Sequence, residues 1–294
     1  MGSEGLNEEE LREGGFDRYL LEVEKLSLCF KKEDGKAKAL KEISLKIKEG
    51  EILALVGESG CGKSVFCKTV LGFLPDRAEV EGGSIRLTGE EILPYEEKRM
   101  EEFRRTFFSL VMQNPAEALN PSIKVGKQIE EAYQAAEAGR GKSRKNRRER
   151  REEVLALMRQ AGIPQPAERY HQYPYQLSGG MCQRVGIAIA LAKKPRLLLA
   201  DEPTSALDVT VQAQILQLLQ TLREKENLSI LLVTHDLGVV AAVADRVAVM
   251  YQGEIVECEE TQKLFQAPVH PYTRELLQSH PAFCRLNRQG VEGI

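Results

Sequence analysis

The chain has 294 residues, of which 42% are hydrophobic and 29% charged, and its formal net charge is −3. This composition is typical of a globular protein of one or two domains, and it excludes a collagen, a coiled-coil rod and a fully disordered chain. The net charge provides no overall attraction to nucleic acid or acidic lipid. The six cysteines are scattered without a CxxC pair, which favours a reduced compartment over a disulfide framework.

Membrane-spanning and export segments are not expected in this sequence. The longest apolar runs, such as residues 185–192, are much shorter than the roughly 18 residues that a spanning helix needs. Residues 1–13 are acidic and have neither the basic start nor the apolar stretch of a signal peptide. We therefore expect a cytosolic protein that reaches a membrane only through a partner, with residues 1–18 forming a loose N-terminal extension.

Alternating residues predict an antiparallel hairpin near the N-terminus, followed by a buried strand. Apolar and polar residues alternate over 20–30 and again over 40–47, and the segment KKEDGKAKA between them predicts a turn. Residues 51–56 (EILALV) are apolar almost throughout, as in a strand covered on both faces of a parallel sheet. Similar strands at 197–200 and 229–233 each precede a helical pattern, which predicts an α/β core with right-handed crossovers.

The middle of the chain is predicted to be helical. Residues 123–162 contain no convincing strand pattern and indicate two helices, broken at 139–142 and ended by Gly162. We interpret this region as an insertion between two halves of one core. Further along, YQGEIVE predicts a small hairpin around Gln252, and a mostly helical tail follows.

Residues 57–64 (GESGCGKS), here called the phosphate loop, match the Walker A pattern between the buried strand and a helix predicted over 63–73. Glycines let consecutive N–H groups point inward around a phosphate, and the helix N-terminus adds the positive end of its dipole. Lys63 is expected to bind the β- and γ-phosphates and Ser64 to bind Mg²⁺. The alternative, a simple glycine-rich turn, does not explain the strand–loop–helix context. The candidate nucleotide-binding residues of the loop are Gly57, Glu58, Ser59, Gly60, Cys61, Gly62, Lys63 and Ser64.

Two adjacent carboxylates, Asp201 and Glu202, end the strand predicted over 197–200. Ligands of open α/β sheets bind at the carboxyl ends of strands, so Asp201 is expected to face the phosphate loop. Asp201 is expected to bind Mg²⁺, and Glu202 to polarise a water for attack on the γ-phosphate. The alternative is a solvated turn before Pro203. Together with the phosphate loop, the pair predicts a nucleotide hydrolase.

Further motifs resemble those of the ATP-binding cassette (ABC) ATPases. Residues 177–181 (LSGGM) resemble the signature motif of that family, although Met181 replaces the commoner glutamine. Gln113 in LVMQNP is similar to the Q-loop glutamine, and His235 in VTHD to the switch histidine. Residues 205–208 (SALD) resemble the D-loop. By these ordered motifs the chain is identified as a member of the family.

The resemblance implies a fold and a domain organisation. The expected fold class is an α/β P-loop NTPase core with an N-terminal antiparallel β subdomain and a helical signature subdomain. The expected ATPase domain covers residues 19–258, with the helical insertion at about 115–190, and the tail covers 259–294. The implied ligands are ATP and Mg²⁺.

The resemblance also implies roles for individual residues. Ser178, Gly179 and Gly180 would contact the γ-phosphate of an ATP bound by a second cassette, and Asp208 would hold the interface between the two. His235 would contact the γ-phosphate and help to orient the water, although an isolated histidine after a strand is often structural. Gln113 is assigned both to catalysis and to Mg²⁺. Phe30 lies where an aromatic residue would stack on adenine, and we favour that role, although an aromatic at a strand end usually belongs to the core.

A motif in the tail narrows the predicted function to one group of transporter ATPases. Residues 268–277 (PVHPYTRELL) resemble the HPYT motif of ATPases from dipeptide, oligopeptide and nickel importers. That resemblance implies a second cassette subunit, identical or paralogous, and two transmembrane permease subunits fed by an extracytoplasmic substrate-binding protein. The chain would then lie at the cytoplasmic face of the cell membrane. Many peptide importers of this type add a multi-cysteine segment that holds an iron–sulfur cluster. Here only Cys284 lies near the end of the sequence, so no cluster is expected.

The alternative function is that of a soluble ABC ATPase that remodels nucleic acid or ribosomes. The basic run at residues 140–151 could indicate contact with nucleic acid. No aromatic residues are interleaved there to stack on bases, so we interpret the run as a solvated connection between helices and expect no nucleic-acid partner. Co-purification with membrane proteins, or stimulation of hydrolysis by nucleic acid, would separate the two functions.

Overall fold

The computed structural model describes residues 19–32, 35–74, 76–141, 145–205 and 207–278. The predicted N-terminal extension and the end of the tail, including Cys284, lie outside the described residues. In chain order, the strands are β1 (Tyr19–Lys32), β2 (Gly35–Lys48), β3 (Ile52–Val56), β4 (Ala78–Leu87), β5 (Glu90–Glu91), β6 (Phe108–Val111), β7 (Leu197–Asp201), β8 (Ser229–Val233), β9 (Arg246–Tyr251) and β10 (Glu254–Glu260).

The strands form two sheets. One is antiparallel in the order β2-β1-β4-β5, and the pairing of β1 with β2 confirms the predicted hairpin. Its strands are longer than predicted, because residues 31–32 and 35–39 of the segment predicted as the turn are part of β1 and β2. The other has the order β10-β9-β3-β8-β7-β6, in which β3 lies between β8 and β9 and runs parallel to both. Every residue of β3 is buried, as its apolar sequence predicts. The antiparallel pairing of β9 with β10 confirms the second hairpin.

Helices pack on the second sheet and against one another. They are α1 (Lys63–Val70), α2 (Glu97–Thr106), α3 (Pro115–Ala118), α4 (Val125–Gly139), α5 (Arg147–Gln160), α6 (Pro166–Arg169), α7 (Gly179–Ala192), α8 (Val209–Glu226), α9 (Leu237–Val243), α10 (Thr261–Gln266) and α11 (Pro271–Gln278). A short 3₁₀ helix, Pro174–Gln176, precedes α7. Helices α4 and α5 are the two predicted for the middle of the chain, and buried Tyr133, Met158 and Val185 lie in one cluster that joins them to α7.

Two local predictions need correction. The helix predicted over 63–73 ends at Val70, because Gly72 takes a φ of +68°, a left-handed conformation that ends a helix. Strands β4, β5 and β6 were not predicted. In β4 the apolar alternation is interrupted by Gly82 and Gly83, and a Cβ on Gly83 would lie 2.5 Å from the Cα of Leu26. Strand β6 has only four residues, too few for a periodic pattern to show.

The tail helices pack on the second sheet. Leu264 of α10 and Leu277 of α11 are buried in one cluster with Val56 of β3 and Leu237 of α9. The tail therefore shares a hydrophobic core with the strand that leads into the phosphate loop. In the part of the chain that the structure describes, no helix combines the length and the apolar character needed to cross a membrane.

Candidate nucleotide site

The phosphate loop joins β3 to α1 and lies against β9. A Cβ on Gly57 would come within 2.2 Å of the carbonyl oxygen of Met250, so only glycine fits at this position. Gly60 and Gly62 have φ values of +82° and +117°, which side chains strongly disfavour. Gly62 is the N-cap of α1 and provides no side-chain hydrogen bond, so the first N–H groups of the helix remain available to an anion.

Lys63 folds back along the inside of this loop. Its Nζ donates hydrogen bonds to the carbonyl oxygens of Gly57 at 2.7 Å and of Glu58 at 2.8 Å, and lies 3.7 Å from the Sγ of Cys61. The residue is only 8% exposed. The loop therefore holds a buried cation beside N–H groups at a helix N-terminus, and both attract negative charge.

Asp201 lies beside Ser64 at the carboxyl end of β7. The Oγ of Ser64 donates to the Oδ2 of Asp201 at 3.4 Å. Burial, and then the negative charge of Glu202, raises the pKa of Asp201, and both effects outweigh the opposing influence of Ser64 and Lys63. A hydroxyl and a carboxylate within this distance are hard oxygen ligands of the kind that Mg²⁺ prefers.

Glu202 is held at both of its carboxylate oxygens. Gln113 donates from Nε2 to Oε2 at 2.7 Å, and the Nδ1 of His235 lies 2.9 Å from Oε1. The φ of Glu202 is +46°, a conformation uncommon outside glycine, and its N–H donates to the carbonyl of Val233 at 2.8 Å. Strain of this kind is often found at functional sites.

The sheet order explains why these distant residues meet. Gln113 follows β6, Glu202 follows β7 and His235 follows β8, and these three strands are parallel neighbours. Their carboxyl ends therefore lie at one edge of the sheet, the same edge at which β3 delivers the phosphate loop. The structure thus brings together Lys63 and Ser64 of the loop, the acidic pair and two residues assigned by resemblance.

The signature and D-loop residues form a second group. Ser178 caps α7 by accepting the N–H of Met181 at 3.3 Å, and Asp208 caps α8 by accepting the N–H of Val211 at 3.0 Å. A Cβ on Gly180 would lie 2.6 Å from the Cγ1 of Val211, so the two helix starts pack closely. Within the described ranges, no hydrogen bond joins Ser178 or Asp208 to the phosphate loop or to Glu202. Gly179 belongs to this second group as well.

Phe30 lies apart from both groups. It is half-buried near the end of β1, opposite Ala37 of β2 and Ala78 of β4, and it packs against the hydrophobic core. This packing is consistent with Phe30 being a core residue. The stacking of adenine on the Phe30 ring stays a prediction.

Three contacts near the site were not predicted. Gln183 of α7 is 1% exposed, and its Nε2 donates at 2.7 Å to the carbonyl of Pro203, directly after Glu202. The Oγ of Ser205 donates to the carbonyl of Glu202 at 3.2 Å. The hydroxyl of Tyr272, in the tail, accepts the N–H of Glu58 at 3.2 Å. The HPYT resemblance singled out Tyr272, but nothing in the sequence places it against the phosphate loop.

Family profiles define the class of this protein. The profile described as "ABC transporter" matches residues 40–205, which is more than half of the chain. A second profile, described as "Oligopeptide/dipeptide transporter, C-terminal region", matches residues 256–293. The chain therefore belongs to the ABC transporter family.

Individual relatives and structures are consistent with this class. The chain is 46% identical over 264 residues to the oligopeptide transport ATP-binding protein OppD of Lactococcus lactis subsp. lactis, covering 90% of this chain and 76% of that protein. It is 43% identical over 266 residues to the dipeptide transport ATP-binding protein DppD of Escherichia coli, covering 90% and 80%. It also resembles the dimeric, post-hydrolysis structure of the ATP-binding cassette MJ0796 bound to ADP and Pi, with a TM-score of 0.72 and 28% identity over 82% of this chain and 98% of that one.

These likenesses confirm the predicted fold class and the family assignment. The chain is an ATP-binding subunit of an ABC transporter, and its enzymatic activity is ATP hydrolysis coupled to transport. The soluble, nucleic-acid-remodelling alternative is not favoured, because the relatives are transport proteins.

Proposed function

We propose that this chain hydrolyses ATP at the phosphate loop and the acidic pair, and that hydrolysis drives an importer of short peptides. The observation that carries the catalytic part is the placement of Glu202. Its two carboxylate oxygens are fixed by Gln113 and His235, which come from the strands on either side of β7. A carboxylate held in this way at the phosphate end of the sheet can receive a proton from a positioned water.

ATP binding falls to the phosphate loop. The uncapped N–H groups at the start of α1 would surround the phosphates, and the ammonium of Lys63 would offset their charge. The carbonyls of Gly57 and Glu58 keep this ammonium at the inner wall of the loop before the nucleotide arrives. The charge is therefore positioned in advance, and little reorganisation is needed at the moment of reaction.

The residues at the end of β7 suit a magnesium ion. The hydroxyl of Ser64 and the carboxylate of Asp201 would bind it, and Gln113, whose Nε2 is directed to Glu202, has its amide oxygen left for a cation. The burial that raises the pKa of Asp201 makes an unpaired carboxylate unfavourable there, so a cation bound beside Asp201 would stabilise its charged form. When bound there, Mg²⁺ would offset negative charge on the phosphates of ATP.

Glu202 has a defined part in the hydrolysis. Water attacks the γ-phosphorus in line, the bond between that phosphorus and the bridging oxygen of ADP breaks, and Glu202 takes the proton of the attacking water. His235 and Gln113 hold the carboxylate in place for this transfer. The products are ADP and inorganic phosphate.

The signature residues point to a composite site. Ser178, Gly179 and Gly180 lie at the N-terminus of α7, which suits a phosphate, yet they form a group separate from the loop of the same chain. We infer that they cap the ATP of a second cassette, with Asp208 at the interface between the two. The dimeric structure of the related cassette with ADP and Pi supports this arrangement.

Short peptides are the proposed cargo. The C-terminal profile and the OppD and DppD relatives support an importer of dipeptides or oligopeptides, and nickel is the alternative within the same group. The chain would then act at the cytoplasmic face of the membrane, bound to two permease subunits that receive cargo from an extracytoplasmic binding protein. The expected lack of an iron–sulfur cluster remains a prediction.

Uptake by the complete transporter tests this proposal. The chain is reconstituted in vesicles with its permease and cassette partners and its binding protein. With ATP on the side of the membrane that carries the cassettes, uptake of a labelled dipeptide, a labelled oligopeptide and Ni²⁺ is measured. Peptide uptake that disappears with Glu202→Gln supports the proposal. Uptake of Ni²⁺ without peptide contradicts the cargo, and hydrolysis stimulated by nucleic acid contradicts the transport role.

A further inference from the structure

The HPYT segment is anchored to the hairpin that precedes it. The carboxylate of Glu257 on β10 accepts the N–H of Val269 at 2.8 Å and the N–H of His270 at 2.9 Å. The Nδ1 of His270 then accepts the N–H of Tyr272 at 3.2 Å. These bonds fix the start of α11 and therefore the direction in which the side chain of Tyr272 leaves the helix.

Tyr272 extends from this anchor to the phosphate loop. Its side chain lies in the core that the tail shares with β3, and the residue is 7% exposed. The ring packs on that of Tyr251, at the end of β9, with centroids 4.1 Å apart and planes inclined by 32°. Its hydroxyl accepts the N–H of Glu58 at 3.2 Å.

The peptide group between Gly57 and Glu58 connects this tyrosine to the Walker A lysine. The N–H of this group donates to Tyr272, and its carbonyl accepts the Nζ of Lys63 at 2.7 Å. Since a peptide group is planar, a bond that fixes its N–H also fixes the direction of its carbonyl. The orientation of the lysine's acceptor is thus set in part by a residue of the tail.

We propose that Tyr272 is a positioning residue for ATP binding, acting through the Gly57–Glu58 peptide on Lys63. This inference rests on the proposed ATP site. Without the hydroxyl, the N–H of Glu58 loses its partner and the Gly57–Glu58 peptide is less firmly oriented. The carbonyl of Gly57 then holds Lys63 less firmly, and the carbonyl of Glu58 is left as its second acceptor. Part of the binding energy of ATP is then used to restore that order.

The test removes single hydroxyl groups from the tyrosine pair. Tyr272→Phe keeps the ring and its packing but deletes the acceptor of the Glu58 N–H. Tyr251→Phe is the matched control, because its hydroxyl accepts a hydrogen bond from the side chain of Gln252 at 2.9 Å, outside the phosphate loop. The Kd of the full chain for ATP is measured by titration well below the melting temperature of each variant, and each variant's melting temperature is measured without nucleotide.

Tyr272→Phe is expected to raise the Kd for ATP about two- to tenfold, the range expected for one hydrogen bond, while Tyr251→Phe leaves it unchanged. Both variants should melt within a few degrees of the native chain. In the assembled transporter, the KM for ATP should rise with Tyr272→Phe while kcat changes less than about twofold. A purely structural role would lower the melting temperature and leave the Kd unmoved.

Lys63→Ala separates the failure of this inference from failure of the proposed site. If Lys63→Ala weakens ATP binding but Tyr272→Phe binds ATP as the native chain does, the role of Tyr272 is overturned and the site stands. If Lys63→Ala keeps the native affinity, the proposed site itself fails, and the role of Tyr272 fails with it. An equal rise in Kd for both tyrosine variants also overturns the inference.

Discussion

Glu202 combines an unusual backbone conformation with two fixed carboxylate oxygens. Its positive φ is maintained by the hydrogen bond of its N–H to Val233, and Gln113 and His235 hold the side chain. The backbone and the side chain of Glu202 therefore have little conformational freedom. The cost of an uncommon φ, about 1–3 kcal/mol, is therefore offset by contacts around the site.

Glu202→Gln tests the role of this carboxylate. Glutamine has nearly the same shape but cannot take the proton from water, so hydrolysis should fall by about 10² to 10⁴-fold while the Kd for ATP stays within a fewfold of the native value. The measurements are phosphate release by the assembled transporter and nucleotide titration of the chain.

Glu254→Gln serves as the control for that experiment. This exposed carboxylate of β10 pairs with Lys41, away from the acidic pair, and its loss should leave hydrolysis unchanged. Turnover of Glu202→Gln close to that of the control would remove Glu202 from its proposed role.

Residue types were more predictable than residue contacts. The apolar strand that ends in Asp201 and Glu202 and the glycine pattern around Lys63 carry their chemistry in local sequence. The bond between Glu58 and Tyr272 joins residues 214 positions apart, and no local pattern encodes such a distance. The same holds for Gln183, whose burial beside Pro203 depends on how α7 packs.

At the scale of elements, the contact between β3 and β9 defines the base of the site. Gly57→Ala would push a methyl group into the carbonyl of Met250, and we expect a loss of about 1–3 kcal/mol in the free energy of unfolding together with weaker ATP binding. Denaturant unfolding and nucleotide titration measure the two effects.

Gly82→Ala on β4 is the matched control for overpacking. A Cβ at Gly82 meets nothing within 4 Å, so this variant should unfold like the native chain. Equal stability of the Gly57 and Gly82 variants would show that β3 and β9 are not closely packed at this point.

The attachment of the tail to β10 should depend on pH through Glu257. Burial opposes the ionisation of Glu257, but the hydrogen bonds and charge around it, including the N–H groups of Val269 and His270, outweigh burial and hold the pKa of this carboxyl below its ordinary value. A carboxyl with a lowered pKa in the folded state stabilises the fold above its unfolded pKa, and this stabilisation is lost as the pH falls through the folded pKa.

Glu257→Gln removes this pH-dependent contribution. We expect the variant to be less stable than the native chain by about 1 kcal/mol at pH 7, with a smaller difference at acid pH, once the pH has fallen through the lowered pKa of the native carboxyl. Thermal unfolding of both proteins at pH 7 and at acid pH measures this difference in stability. A difference that is the same at both pH values, or that grows towards acid, would contradict the attachment.

Strands with a clear hydrophobic pattern in the sequence were predictable, and short strands or strands with an interrupted pattern were not. The five apolar residues of β3 and the alternation in β1 identify both strands correctly. Strand β6 shows no such pattern, yet it delivers Gln113 to the site by pairing with β7. Its place in the sheet is decided by tertiary packing, including the buried aromatic ring of Phe108.

At the scale of the whole molecule, the residues proposed to act on ATP lie in two separate groups. The phosphate loop and the acidic pair lie at one edge of the sheet, and the signature residues cap α7 without a hydrogen bond to them in the part of the chain described here. A division of this kind makes sense in a pair of cassettes in which each contributes half of two sites. ATP would then act as the link between the two, and hydrolysis would release them.

The pairing of two cassettes through bound ATP is tested by the molar mass of the Glu202→Gln variant, measured with and without Mg²⁺ and ATP. Light scattering is recorded for the variant alone and for the variant mixed with the second cassette subunit of its transporter. We expect Mg²⁺ and ATP to convert monomers into dimers in at least one of the two samples, and we expect adding Ser178→Arg to prevent this while ATP still binds. Saturation with ATP while both samples remain monomeric, or a dimer that is insensitive to Ser178→Arg, would contradict this pairing.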